Sequence, residues 1–161
     1  MATVIVGTGV LSAVQLFGVC AQQNIHGTRS TAAIMLANNV QESMGLLTFS
    51  DPQFGRATFG PETGETLAGY DDLDDFNNMT ASPPIDANRN SIAAMAQYSQ
   101  FITVRPVFPN QLSSNSTDAS PTITASTYTG AVRVRVRVLF RESATSPAEE
   151  VYQRSWVRLD R

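Results

Sequence analysis

Twenty consecutive residues near the start of the chain, Ala2 to Ala21 (ATVIVGTGVLSAVQLFGVCA), carry no charge. That run limits what the chain can fold into. It passes without a break into QQNIHGTRSTAAIMLANNVQESMGLL, where Ala33, Leu36, Val40, Met44 and Leu47 recur at steps of three and four. This period places the five on one helix face and turns Arg29, Asn38, Gln41 and Glu42 away from it. The two stretches predict one long helix over 2–47, apolar all round at its start and amphipathic afterwards, with Gly27 as the candidate kink between the halves. A uniformly apolar half belongs in lipid or in a bundle, and a one-sided half lies on a domain. About 20 residues at 1.5 Å rise just cross a bilayer core of roughly 30 Å. The side chains expected to face lipid or neighbouring helices are Val4, Ile5, Val6, Val10, Leu11, Val14, Leu16 and Phe17.

An apolar start has three readings. A cleavable secretory signal needs a basic n-region, a shorter apolar core and a small-residue cleavage site, and no basic residue precedes this run. A single-span anchor fits the length but does not explain an amphipathic continuation without a linker. A helix that passes from a membrane or filament core onto its own domain explains both halves.

The remainder of the 161 residues has room for one modest domain with a real core. Thr48 to Asp51 closes the helix, since Pro52 cannot continue it, so the amphipathic half is expected over 25–49. From there to residue 92 no period is sustained and Gly and Pro punctuate the chain, which reads as a long loop over 50–92. Phe54, Phe59, Leu67, Tyr70, Leu73, Phe76 and Ile85 are the anchors that would hold it down. The second half is β. Tyr98 to Val107 alternates, with Ile102 and Val104 on one face and Phe101 and Thr103 on the other, and Pro106 marks an edge or an end. Ala131 to Arg141 is the clearest strand, with Val132, Val134, Val136, Val138 and Phe140 facing one way. Val151 to Leu159 is its expected hairpin partner. The class is therefore α+β: a long N-terminal helix whose second half covers a small antiparallel sheet at 97–159. Residues 1–24 form one part and 25–161 the globular domain.

Two clusters invite a binding role. Asp71, Asp72, Asp74 and Asp75 fall within five residues. Hard oxygen ligands suit calcium, although the EF-hand spacing is not met; the other reading is a solvated acidic turn partly paired with Arg. Arg133, Arg135 and Arg137 alternate with valines, and Arg154 and Arg158 follow on the next strand, so these five are an expected interaction face. A row of this kind binds phosphate, keeps a sheet face soluble, or pairs with acids across strands or subunits. The net charge of −3 argues against a dedicated nucleic-acid binder. The single cysteine, Cys20, excludes an intramolecular disulfide. The lone His26 has no acid or cysteine at ligand spacing, and neither a G-x-S-x-G elbow nor an H-E-x-x-H motif is present, so no enzyme and no other cofactor is expected.

MATVIVGTGVLSAVQLFG, with AAIMLANNVQESMGLLTFSDP after it, resembles the N-terminal helix of type IV pilins and pseudopilins. The resemblance is to minor pilins of the pilus-modification and MSHA-pilus-biogenesis kind. It rests on Leu36, Ala37, Val40, Glu42 and Met44, on the step Phe49 to Pro52, and on the stretch around Tyr70 to Phe76 and Ser82 to Asp86. It implies a structural subunit of a type IV pilus or a type II secretion-like system, held in the inner membrane by one span with its globular domain in the periplasm. Such a subunit assembles by helix packing into a filament. Its partners would be other pilin or pseudopilin subunits, an inner-membrane assembly platform and membrane lipid. The family carries a basic leader ending in Gly and then Phe-Thr-Leu-x-Glu. This sequence opens with Met1 past that glutamate, a departure that puts leader processing and glutamate docking in question and leaves open a late start, a truncated chain or an unprocessed subunit. The rival reading, from a different class, is a single-span anchored binding module using the acidic loop or the Arg face.

Overall fold

Helix α1 runs from Ala2 to Ser43, about 63 Å at 1.5 Å per residue, in a computed structural model that describes residues 2–52, 59–109 and 129–160. Of the side chains in that range, those of 2–9 and 11 stand outside the description. The chain divides into two units, Met1–Ala32 and Ala33–Arg161. Gly27 lies within the continuous helix. Around it the hydroxyls of Thr28 and Thr31 donate to the carbonyls of Asn24 and Gly27, at 3.0 and 2.9 Å, so these polar side chains are satisfied by the turn before them.

In the first unit Val10, Val14, Leu16, Phe17, Val19 and Ile25 are exposed. The sequence suggested that this half crosses an inner membrane once, and that expectation is corrected: among the described residues no helix is long and apolar enough to cross a membrane. From Val10 onward Ser12, Gln15 and Gly18 interrupt the apolar run, and Gln22, Gln23 and Asn24 follow it. The single-pass inner-membrane anchor expected for the globular domain is therefore not supported.

The second unit is a four-stranded antiparallel sheet with strands in sequential order. These are β1 (Thr80–Ala81), β2 (Tyr98–Pro106), β3 (Ala131–Phe140) and β4 (Glu149–Leu159). The period-two pattern of β2 and β3 is realised residue by residue. Ile102 stands opposite Val136 and Val104 opposite Val134, and all four are fully buried. Ala33, Leu36, Ala37 and Val40 of α1, and Met44 just past its end, are buried as well, so the helix stripe and the apolar sheet face close one core. The fold is α+β, a long helix on an antiparallel sheet. A bulge at Val138/Leu139 leaves Val151 as the extra residue on β4.

The helix ends at Ser43, before the expected 49, and the chain turns through Gly45. The long loop is held down as its anchors predict. Leu73, Phe76 and Ile85 are buried, Phe59, Leu67 and Tyr70 are half-buried, and Phe54 lies outside the described residues. The Tyr70 and Phe76 rings meet edge to face at 5.1 Å. The two-residue β1 is invisible to sequence periodicity, yet it protects β2. Beyond it Ile102 N–H donates to Met79 O at 2.9 Å and Val104 N–H to the Asn77 side chain at 3.2 Å.

A polar side chain sits between the helix and the sheet. Gln100, fully buried on β2, donates from Nε2 to Leu36 O of α1 at 2.8 Å and to Ile85 O at 3.1 Å. Its Oε1 accepts from Ile85 N–H at 2.7 Å. Helix, loop and sheet thus meet on one amide. Gln100→Leu keeps the volume and orphans these groups, so it is expected to cost about 2–3 kcal/mol. The measurement is the denaturant midpoint of the full chain, with the slope of the transition unchanged. An unaltered midpoint would show that Ile85 finds other partners.

Candidate functional site

The acidic loop organises itself around its own backbone. Asp72 Oδ1 accepts from the N–H groups of Asp74 and Asp75, at 2.8 and 3.2 Å, which starts the single 3-10 turn Asp74–Phe76. Asp75 Oδ2 accepts from Asp71 and Asp72 N–H at 3.0 and 3.1 Å. Asp74 Oδ2 accepts from Gly60 N–H at 2.7 Å, where Gly60 holds a φ of +96° that a side chain would strain. Asp72, Asp74 and Asp75 are buried; Asp71 is half-buried. Outside the loop, Thr48 bridges to Asp72 in parallel and its hydroxyl donates to Asp71 O at 3.2 Å. Arg89, at a φ of +66°, donates to Leu67 O and Tyr70 O at 3.1 and 2.6 Å and lies 5.4 Å from the centre of the Phe76 ring.

Of the four aspartates expected to share a cation, only Asp75 joins, among the described residues, a group of carboxylates that a metal ion could bridge. Its companions are Glu62 and Glu65, with one oxygen from each residue lying within 4.8 Å of the others. At one oxygen each, three carboxylates supply half or fewer of the six to eight oxygens that calcium takes, so second carboxylate oxygens, carbonyls or water would have to complete a shell. Sequence alone did not single out these glutamates, because ten residues separate Glu65 from Asp75 and no period links them.

Burial dominates the electrostatics. It pushes Glu62 up to about 7, helped by hydrogen bonding to Glu65 and Asp51. Burial, together with the charge of Asp74, raises Asp72 well above the carboxylate range. Asp75 rises to about 6 from burial and the charges of Asp72 and Glu65, partly offset by its backbone donors. Asp74 is raised too, mainly by burial. Burial thus shifts all four carboxyls in the direction that favours their protonated forms.

The arginines divide between the two faces of the sheet. Arg133, Arg135 and Arg137 stand opposite Arg105, Thr103 and Phe101 of β2, on the face away from the core. Arg137 Nε pairs with Glu150 Oε2 at 2.6 Å, with both side chains about two-fifths exposed, and its guanidinium lies 5.8 Å from the centre of the Phe101 ring. Arg154 and Arg158, expected on the same face, are not there. Opposite Val136 and Val132 they carry the inward register. Arg154 donates to the Asn38 side chain of α1. Arg158 donates to Met44 O, Gly45 O and Leu47 O at 3.3, 3.2 and 3.4 Å, beyond the helix C-terminus. These carbonyls belong to the turn after α1, and a cation there also meets the negative end of the helix dipole. Arg105 takes their place on the outer face. Its alternation with Phe101 and Thr103 was the available signal.

Comparison with protein-family models, with curated proteins and with solved structures returns no match for the chain.

The raised carboxyls carry a sign. A group whose pKa is higher in the folded chain contributes stability that is complete below its unfolded pKa and lost as pH rises through the folded value. With Glu62 at about 7 and Asp75 at about 6, thermal stability is expected to fall between about pH 5 and pH 8. Asp72→Asn keeps an oxygen for the Asp74 and Asp75 N–H groups and removes the charge. It should flatten that slope and stabilise the chain by roughly 1–3 kcal/mol at pH 8. Melting curves of both chains across this range test it, and parallel profiles would refute the shared-proton reading.

Proposed function

We propose that the protein is a structural, non-catalytic subunit of the minor-pilin or pseudopilin kind, assembling with other such subunits by packing helix against helix along α1. The observation that carries this reading is the apolar surface of the first half of the helix. Val10, Val14, Leu16, Phe17, Val19 and Ile25 are each more than half exposed, Phe17 by 76%. Val10, Val14 and Phe17 share one face at steps of four and three, while Leu16 and Val19 lie round the other side. A helix that is apolar on several sides is stable in water when surrounded, and other helices of the same kind surround it. Gly18 supports a close approach. A Cβ added there would meet nothing within 4 Å, so nothing in its surroundings calls for glycine.

The sequence resemblance points the same way, and a long N-terminal helix with its second half on an antiparallel sheet is the architecture that resemblance implies. The second half of α1 anchors the globular domain while the first half supplies the contact.

The test is the assembly state of the full chain. Sedimentation is expected to show concentration-dependent assemblies, and the exposed Cys20 should crosslink between copies. Val14→Gln with Phe17→Gln should move the population toward monomer without shifting the melting of the sheet domain. A full chain that stays monomeric at every concentration, or assemblies indifferent to both substitutions, would refute packing through α1.

A further inference from the structure

The outer face of the sheet holds a second feature that a purely structural subunit does not require. Arg105 of β2 stands directly opposite Arg133 of β3, and Arg135, two residues on, stands opposite Thr103. Directly opposed like charges on one sheet face are destabilising. Glu150 serves Arg137, further along the strand, and Asn78 Oδ1 accepts from Arg105 Nη2 at 3.4 Å. Arg133 and Arg135 also take part in other interactions of the chain, so an incoming ligand would add to their contacts or exchange with them. Thr103, Arg105, Arg133 and Arg135 together line one cleft of about 110 Å³.

We infer that this cleft is a binding site for a tetrahedral oxyanion, a phosphate or sulfate group held by Arg105, Arg133 and Arg135 with the Thr103 hydroxyl. Size and chemistry agree. The cleft has the volume of about four waters at ~30 Å³ each, which suits one small ion and falls well below the ~300 Å³ at which pockets for organic ligands begin. A planar guanidinium presents N–H donors in a fixed fork that matches oxyanion oxygens two at a time. Three such forks offer more donors than the two oxygens of one carboxylate can accept, whereas the oxygens of a tetrahedral anion can engage all three. The bound charge would also relieve the Arg105–Arg133 opposition, so binding and folding would be linked.

The group can come from a free ion or from a chain that carries the same group repeatedly, and the experiment separates the two. Melting of the full-length protein is followed in inorganic phosphate and in chloride at matched ionic strength. Phosphate at about tenfold excess over its Kd should raise Tm saturably by roughly 3–6 °C. The general stabilisation by excluded salts is common to all variants, so the site is read from the difference between them. Arg133→Gln and Arg105→Gln should each remove the saturable part. Arg137→Gln, on the same face but outside the cleft, should keep it. Circular dichroism confirms that each variant is folded, and any unfolded variant is replaced by Thr103→Val, which removes the hydroxyl and should weaken the response. A single-stranded oligonucleotide titrated by fluorescence anisotropy forms the second arm. Binding that is lost with Arg133→Gln assigns the group to a polymer, and a response to phosphate alone assigns it to a free ion. No saturable phosphate response and no oligonucleotide binding, or responses that persist in Arg105→Gln/Arg133→Gln, would overturn the site. Neither outcome bears on assembly through α1, whose readout is sedimentation.

Discussion

The hydrogen bonds of the Gln100 side chain hold together three segments that apolar burial alone would allow to slide. The sheet's inner face and the stripe from Ala33 to Met44 are built mostly of Ala, Val, Leu, Ile and Met, with Tyr98 and Phe140 at one end, and such aliphatic surfaces match one another in several registers. An amide buried between them does not. It donates to one helix carbonyl, Leu36 O, and exchanges bonds with one loop residue, Ile85. A shift of one residue in any of the three would leave a desolvated group without its partner. The position of α1 along the sheet, and of the loop across both, therefore follows from β2. Ile85 is further braced by its bridge to Ser91, and the turn between them by Asp86, whose Oδ1 accepts from Asn88 and Asn90 N–H at 2.8 Å each.

With the helix so placed, the charged residues sort by what each face offers. Just past the end of α1 the carbonyls of Met44, Gly45 and Leu47 lie next to β4, and Arg158 meets them. Arg154 reaches Asn38 along the same flank. The outer face has no helix to serve, and there the arginines meet Glu150, the Phe101 ring and one another. One residue type thus does two kinds of work, closing a helix end on one side of the sheet and building a cationic surface on the other.

The acidic loop obeys a different balance. A 3-10 turn between irregular segments leaves backbone N–H groups buried without a ladder, and unpaired buried donors are costly. Asp72, Asp74 and Asp75 supply acceptors at short range, which ties their carboxylates to the loop and brings them close together. Burial and their mutual repulsion both favour the protonated forms. The same residues that shape the loop make its stability depend on pH.

Much of this architecture was legible in the chain itself. Steps of three and four from Ala33 to Met44, and strict alternation from Ala131 to Phe140, are local signals of a helix stripe and a strand, and both stand in the structure because propensity and burial agree there. The anchors Leu73, Phe76 and Ile85 were equally visible as large apolar residues in a Gly- and Pro-rich stretch. The apolar start of α1 showed a surface in need of cover. What periodicity could not assign was anything that depends on contact between distant positions. It placed Arg154 and Arg158 with the Arg row, because one strand's alternation does not say which of its faces the helix occupies until the register with β3 is known. It grouped Asp71 with Asp72, Asp74 and Asp75, whereas the fold brings Asp75 to Glu62 and Glu65. It passed over Gln100, which looks like any polar residue in a strand until α1 and the Ile85 loop close on it. Local periodicity decides which elements exist, because it reflects backbone geometry over a few residues. Only the packed structure decides which side chains meet, because that depends on register and approach between segments as far apart as Leu36 and Gln100.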